Sequence, residues 1–557
     1  MRRPLHPLMV GAFSAIALAT GQATQEIDRQ VRTLYEHGEW AEAARLATQP
    51  DGHSADLDLY RGLALARLGK LDAAEQAFLD GQRTHPADPR FALELAGVAY
   101  RRQDIGTAKR RLMEALHLDP SNSYGNDFLA SLFLLDGNLP GALKYWNRIY
   151  KPLVQNLRFE PALSLRPVLR ERAFAISAGQ VFTLDRLQTT EANLDRLGVL
   201  ASYQFDLAPR DDQRFDLTFR SLEGTSFAGG WLGRILPLAR GLPYQTLDLD
   251  LYNLGQRAIN LNALGRWDPD KRRIAMDISG PVRLNPRLKY RLAADARDEN
   301  WDLRSTYFGK PGGLDGLLLR KIEAGGELIF GVNGKLQWTP ALWVARRSFD
   351  NGGESHVFAD SWSFELRNAL TYRLWTWPER RVRVESAAVL RTGRVLTGAP
   401  SRFVITQGAL SGIWLPQSKG DDLTVAARIR SGKGFGALPF DEFFMLGMER
   451  DNDLWLRGHV GTRDGRKGNA PLGTQYSLFQ TEVERTVFKF PLVRFQIGPF
   501  FDAGRIGDPS GLFGSRGWMK DTGLEARIKT LGNVTWRIVY GRDLRDGRGV
   551  FYTAVSR

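Results

Sequence analysis

Val493-Arg494-Phe495-Gln496-Ile497-Gly498-Pro499-Phe500-Phe501-Asp502-Ala503-Gly504 is the stretch from which the fold can be read. Successive side chains of a strand point to opposite sides. Val493, Phe495 and Ile497 therefore share one face, and Arg494, Gln496, Gly498, Phe500, Asp502 and Gly504 share the other. A soluble sandwich strand could carry this pattern once, but here it recurs. Leu247, Leu249 and Leu251 alternate with Asp248, Asp250 and Tyr252, and Leu423, Val425, Ala427 and Ile429 alternate with Thr424, Ala426, Arg428 and Arg430. An apolar face opposite a polar one, strand after strand, is what a lipid exterior and a hydrated lumen require. The expected fold is a transmembrane antiparallel β-barrel with Asp502 directed into the lumen.

The amino-terminal residues fit an envelope destination. Arg2 and Arg3 precede an uncharged apolar run from Leu8 to Ala19, followed by small residues. These are the charged, hydrophobic and cleavage regions of a secretory signal peptide, expected over residues 1–23. The run is shorter than the roughly 20 apolar residues of a spanning helix, and no later segment reaches that length. Absence of cysteine excludes disulfides, thiolate metal sites, a cysteine nucleophile and a lipid anchor on cysteine. The net charge of +14 comes from 76 Lys and Arg against 62 Asp and Glu. A secreted chain does not meet nucleic acid, so the charge is assigned chiefly to lumen and loop arginines. Attraction to anionic lipid headgroups or to an acidic polymer is its other expected consequence.

Between residues 24 and 153 the period becomes helical, with a repeat of 34. Gly62, Ala96 and Ala130 are in phase, as are Leu65, Ala99 and Phe133; Ala74, Ala108 and Ala142; and Phe78, Leu112 and Trp146. Small residues at two fixed positions let paired helices approach, and large ones fill the gap to the next pair. Pro86 and Pro120 close two units, and Leu34, Tyr35, Gly38, Trp40 and Ala43 form an imperfect earlier copy. This resembles the tetratricopeptide repeat (TPR), an all-α solenoid whose concave groove binds peptides or extended segments. The alternative is a spacer.

Residues 157–224 change character again. A helix is expected over Leu184–Leu200, where Gly198 can stop it. Two strands follow, with Tyr203, Phe205 and Leu207 alternating before the Pro209–Gln213 turn and Phe215, Leu217 and Phe219 after it. The order helix, Leu-Gly, strand, Pro-turn, strand is similar to the second half of a POTRA module, a small α+β periplasmic domain. The residues carrying the likeness are Leu194, Leu197, Gly198, Pro209, Leu217, Phe219 and Glu223. The first half of such a module is poorly matched: Arg158 to Gly179 has room for a strand and one short helix, so the alternatives are a reduced module, a plain linker or an unrelated αββ connector. The resemblance implies β-augmentation by a client strand at the sheet edge.

Residues 225–557 then hold the barrel. Spanning strands take about 9–11 residues each, so about 14 to 18 fit, with 16 the expected number. Leu438-Pro439-Phe440, Phe443 to Gly447, Leu456-Arg457-Gly458-His459 and Gly498 to Arg505 resemble, in order and spacing, the carboxy-terminal half of the superfamily of BamA, TamA and the two-partner-secretion transporters. The resemblance implies a long loop folded into the lumen, whose tip arginine, here Arg457, meets the aspartate of an F-x-D-x-G strand, here Asp502. Gly458, Phe500 and Gly504 complete the two motifs. Leu456 and His459 depart from the common Val and Phe/Tyr. A secondary motif covers Gly523, Glu525 and Arg527, of one parity and expected in the lumen, with Glu525 in place of a usual glycine. An arginine presents a planar fork that grips a carboxylate bidentately. Screened from water, loss of one partner costs about 3 to 5 kcal/mol; in a flooded lumen the loss falls to about 1 kcal/mol or less. The last strand, Gly549 to Val555, is expected to pair with the first. The end at Ala554-Val555-Ser556-Arg557 lacks the terminal aromatic of many barrels, leaving Phe551 or Tyr552 to serve as assembly signal.

No catalytic constellation is expected, and no cofactor or metal. The seven histidines are scattered. Ser431-Gly432-Lys433-Gly434-Phe435-Gly436 reads as a strand-flanking loop rather than a phosphate loop. Trp267-Asp268-Pro269-Asp270-Lys271 reads as a hairpin turn rather than a calcium loop. The leading functional expectation is outer-membrane protein assembly or polypeptide translocation. Its expected partners are outer-membrane lipid, extended client polypeptides, and periplasmic or lipoprotein partners at the TPR groove. TPR-plus-barrel organisation also occurs in exopolysaccharide exporters and surface-lipoprotein assembly modifiers, so an export conduit is the first alternative. A barrel-anchored TPR scaffold is the second.

Overall fold

The computed structural model describes residues 25–48, 54–212, 214–224, 241–309, 314–352, 356–396, 401–490, 493–530 and 534–556. The expected signal, residues 1–23, lies outside them. The chain divides into two units, Met1–Lys151 and Pro152–Arg557.

In the first unit, helix α1 (25–36) precedes α2 (Trp40–Leu46), α3 (Ala55–Arg67), α4 (Leu71–Thr84), α5 (Pro89–Arg101), α6 (Ile105–Leu118), α7 (Ser123–Leu135) and α8 (Leu139–Trp146). Polar residues start five of them: Ser54, Asp88, Asp104, Asn122 and Asn138 each accept a backbone N–H of the following turn. Helices α3/α4, α5/α6 and α7/α8 pack as successive hairpins. The repeat positions face the packing: Ala74, Ala96, Ala108, Ala130 and Ala142 are fully buried, as are Phe78 and Leu112, with Trp146 almost so. Gly62 has to be glycine, because a Cβ there would lie 2.3 Å from the Phe78 ring. The imperfect copy is a hairpin too, with Ala43 packed among Leu34, Tyr35 and Trp40.

The second unit begins with β1 (Val154–Glu160), α9 (Pro167–Ala173), α10 (Leu184–Leu197), β2 (Leu200–Pro209) and β3 (Phe215–Glu223). The sheet order is β1-β3-β2, with β1 parallel to β3. Strand β1 and the short α9 fill the space seen in the sequence before Gly179. Helix α10 stops at Leu197, not Leu200, because Gly198 takes the left-handed conformation (φ 65°) that closes a helix. Its last carbonyls are satisfied by the barrel: Asn260 Nδ2 donates to the Leu197 oxygen at 2.8 Å and Lys289 Nζ to the Arg196 oxygen at 3.0 Å. Arg196 donates in turn to the Pro286 oxygen at 2.9 Å. The module's apolar core, around Leu169, Phe174, Leu194, Leu197 and Phe219, takes in Ala258 and Leu284 from barrel turns. The βααββ module is thereby fixed to one end of the barrel.

The wall consists of β4 (Thr246–Leu254), β5 (Ile259–Asp268), β6 (Lys271–Pro281), β7 (Leu288–Asp302), β8 (Asp315–Val332), β9 (Leu336–Asp350), β10 (Ser361–Trp377), β11 (Val382–Leu396), β12 (Ser401–Trp414) and β13 (Leu423–Gly436). After a long loop holding the two-residue strands β14 (Phe444–Met445), β15 (Thr462–Arg463), β16 (Arg466–Lys467) and β17 (Leu472–Gly473), it continues with β18 (Gln475–Lys489), β19 (Val493–Gly507), β20 (Met519–Thr530), β21 (Val534–Asp543) and β22 (Gly549–Ser556). Fifteen long strands therefore form the wall among the described residues, against an expected 16; residues 225–240 of the expected barrel lie outside them. Antiparallel pairing is continuous from β4 to β13, across to β18, and on to β22.

Strand order returns from β22 to β4 to close the ring. This is the junction at which the last strand was expected to meet the first. A side-chain contact described there runs from Tyr244, just before β4, whose hydroxyl donates to Thr553 Oγ1 of β22 at 2.9 Å. Alternation holds all round. Leu247, Ile274, Ile322, Leu342, Phe364 and Phe551 are exposed on the outside, as a lipid-facing belt requires. Lys321, Arg347, Glu365, Asp502 and Glu525 are buried on the inside. No described helix is long and apolar enough to cross a membrane.

One sequence expectation is corrected. Ser431–Gly436 is the end of strand β13, not a loop. Its glycines make room, since a Cβ on Gly432 would lie 2.5 Å from Tyr476 and one on Gly434 would lie 2.4 Å from Leu438. The segment Trp267–Lys271 is the β5–β6 hairpin turn, as its sequence implies.

The contact between module and barrel is pH-sensitive. Burial lifts the Glu191 carboxyl of α10 to about 7, against the opposing influence of Arg373 and Arg383 and with the help of Asp195. A carboxyl whose folded pKa is raised favours the folded state when protonated; that stabilisation is complete below about pH 4.5 and is lost as pH rises through about 7. Glu191→Gln should therefore abolish the loss. Amide protection of α10, corrected for intrinsic exchange, should fall between those pH values in the parent protein and stay level in the variant.

Candidate functional site

The loop between β13 and β18, residues 437–474, folds inward, and its tip is Leu456-Arg457-Gly458-His459. Leu456 is fully buried among Leu446, Leu478 and Met519. This places Arg457 against β19, where even-numbered residues face inward. Asp502 accepts three hydrogen bonds from it: from the Arg457 backbone N–H at 3.0 Å, from Nε at 2.9 Å and from Nη2 at 2.7 Å. The Nη1 group donates to Glu482 at 2.8 Å and to Glu525 at 2.9 Å. The guanidinium carbon lies 4.0 Å from the centre of the Phe500 ring, a cation–π contact in a dry setting. Arg457 is 2% exposed and Asp502 not at all, so the screened case applies to this pair.

The motif glycines are explained by close approach. A Cβ on Gly458 would lie 2.5 Å from Asp521 Cγ, one on Gly504 3.0 Å from Leu446, and one on Gly523 2.9 Å from Phe500 and 2.0 Å from the Tyr540 oxygen. Gly541, which the sequence reading did not single out, has the same cause: its Cβ would lie 1.7 Å from the Arg457 carbonyl oxygen.

Glu525 accepts from Arg527 Nε at 2.7 Å and from Arg537 Nε at 2.6 Å as well as from Arg457. Arg527 also donates to Glu482 at 2.9 Å and pairs with Glu484. Three arginines and four carboxylates thus form one lumenal network, so the glutamate standing where glycine is usual has three cationic partners. His459 bridges two facing wall residues, with Nδ1 3.1 Å from Asp521 and Nε2 3.3 Å from Asp543. Among the described residues, this is the one group of three potential metal-ligand atoms within 4.8 Å of one another. Arg545 pairs with Asp543 at 2.8 Å and touches the imidazole at 3.3 Å, supplying positive charge from within the protein.

Five further loop residues escaped the sequence reading: Asp441, Glu442, Glu449, Asp451 and Asp453. Each meets a cation of the wall or of the loop hairpin. Asp441 pairs with Arg347 at 2.7 Å and with Lys321 at 2.9 Å. Glu442 pairs with Arg391 at 2.5 Å and with Lys321 at 3.3 Å. Asp451 pairs with Arg273 at 2.6 Å and with Arg266 at 2.8 Å. Lys271 lies 3.5 Å from Glu449, and Arg430 lies 3.0 Å from Asp453. Lys467, on the same loop, reaches Glu299 of β7 at 2.6 Å. The loop is tied to β5, β6, β7, β8, β9, β11 and β13 on one side and, through Arg457, to β18, β19 and β20 on the other. It spans the lumen from one side of the wall to the other. The available signal was a cluster of acids at 441–453 in a strongly basic chain, facing inward bases on alternate wall positions.

No family model and no curated protein matches the sequence. Solved structures do. BamA from Haemophilus ducreyi lacking POTRA domains 1–3 is 14% identical, over 73% of this chain and 84% of that one, with a TM-score of 0.41. CdiB from Escherichia coli is 14% identical, over 73% and 76%, with a TM-score of 0.45. CdiB from Acinetobacter baumannii is 13% identical, over 79% and 81%, with a TM-score of 0.41. At these values the account of the site rests on its own geometry.

Asp502→Ala would leave Arg457 with only the two glutamates already shared by Arg527 and Arg537. Loss of a partner from a buried pair costs about 3 to 5 kcal/mol, so the temperature at which the barrel loses its heat-modifiable migration should fall clearly. Asp502→Glu, which keeps the charge, should recover part of it.

Proposed function

We propose that this chain is an outer-membrane protein that assembles or translocates polypeptides. In this reading the helical hairpins form a TPR solenoid and, with the POTRA-like βααββ module, receive extended clients in the periplasm. The barrel then inserts or passes them. The observation that carries the reading is the arginine-tipped loop seated on Asp502 inside the barrel. A loop held by ion pairs can be released without unfolding the wall. In this reading the seam between β22 and β4 is where a client strand would pair. The seated loop suits a gated machine better than an open conduit, because a polymer crossing the lumen would first have to displace the loop from every side to which it is tied. The βααββ order with its mixed three-stranded sheet supports the POTRA-like assignment, and the buried small and large positions at the 34-residue spacing support the TPR assignment.

Arg457→Glu places a new carboxylate among Asp502, Glu482 and Glu525. Client assembly in cells should fall at least tenfold while barrel abundance stays normal. Adding Asp502→Arg restores one bond but leaves the new glutamate facing Glu482 and Glu525, so recovery should be partial. Full client assembly by the Arg457→Glu protein at normal abundance would remove the reading.

A further inference from the structure

Among the described residues, the outer face of the barrel carries cations that no acid balances. Arg394 of β11 and Arg402 of β12 are direct cross-strand partners, and both are exposed on the outward face. Arg346 of β9 is exposed on the same face, its guanidinium carbon 5.6 Å from the centre of the Trp362 ring. None of the three has a side-chain hydrogen bond or ion pair among the described residues. Arg320 of β8 differs, being paired with Asp350 at 2.8 Å. Like charges directly opposite each other on a sheet repel, and a cation on the lipid face is tolerated only toward the membrane interface. These arginines lie within a few residues of the strand ends remote from the βααββ module.

Directly beneath the arginine pair is a groove of about 710 Å³ lined by Leu342, Val344, Phe364, Leu366, Arg394 and Arg402. Its floor is apolar and its upper edge carries two guanidinium groups. Strands lie about 4.8 Å apart, so the row from Arg346 on β9 to Arg402 on β12 is about 14 Å wide. A single phosphodiester headgroup is narrower. A glycolipid with a phosphate at each end of a disaccharide would meet both ends of the row and lay an acyl chain in the groove.

The geometry points to a specific binding site, on the outward face of β9–β12, for a phosphorylated, multiply acylated glycolipid of the outer leaflet. Arginine forks grip phosphate oxygens, and the aliphatic and aromatic floor takes the chain. The site rests on the membrane-embedded reading of the barrel but not on the identity of any client.

The test uses the full-length protein purified in detergent, with heat-modifiable migration as the check that each barrel is folded. Native mass spectrometry then measures retention of diphosphoryl lipid A, phosphatidylglycerol or phosphatidylcholine. The parent protein should retain one diphosphoryl lipid A at least tenfold better than either phospholipid. The double variant Arg394→Gln, Arg402→Gln should lose that preference, and Arg320→Gln, whose charge is already matched, should keep it. Undiminished retention by the folded double variant would overturn the site. Equal retention of phosphatidylglycerol would overturn the assignment to a glycolipid. A parent protein that shows no heat-modifiable barrel would count against the membrane reading itself.

Discussion

The lumen is organised around one buried guanidinium. Arg457 has no water to replace its partners, and it is held by Asp502, Glu482 and Glu525 from three adjacent wall strands. A buried charge group of this kind is weak evidence of stability, since desolvation offsets much of the attraction. Its consequence is positional. The arginine fixes the loop tip at one height and one azimuth of the barrel, and the glycines at 458 and 541 follow from that closeness. Other placements of the tip would leave Arg457 and Asp502 unpaired, while Glu482 and Glu525 would keep Arg527 and Arg537.

The rest of the loop repeats the arrangement with reversed sign. Its tip is a cation in an acidic pocket of β18–β20, whereas its flanks are acids on a basic wall at β5, β6, β8, β9 and β11. The loop is therefore polarised, and its rotation or shift would bring like charges together on both sides at once.

Much of this was legible in the sequence because it depends on local periodicity. Period two assigned Asp502 to the lumen, period 34 located Ala74, Phe78 and Trp146 in the hairpin cores, and Gly198 marked a helix end within three residues. Arg457 and Asp502 were joined by resemblance of motifs, and the structure brings them into contact. The flanking ion pairs were not legible. Asp451 and Arg266 are 185 residues apart in sequence, and their meeting is decided by how every intervening strand is staggered, which no local spacing encodes. Ser431–Gly436 was misread for a different reason: glycines usually weaken strands, but here Tyr476 of the neighbouring strand β18 and Leu438, just beyond the end of β13, occupy the space they leave.

The central claim is that ion pairs hold the loop tip seated in the resting barrel. Hydrogen exchange of the backbone amides of residues 456–459, in the full-length protein reconstituted into lipid nanodiscs, tests it most directly. The account predicts strong protection in the parent protein and rapid exchange in Arg457→Ala, with the wall strands protected in both. Unprotected tip amides in the parent protein, or unchanged protection in Arg457→Ala, would contradict it.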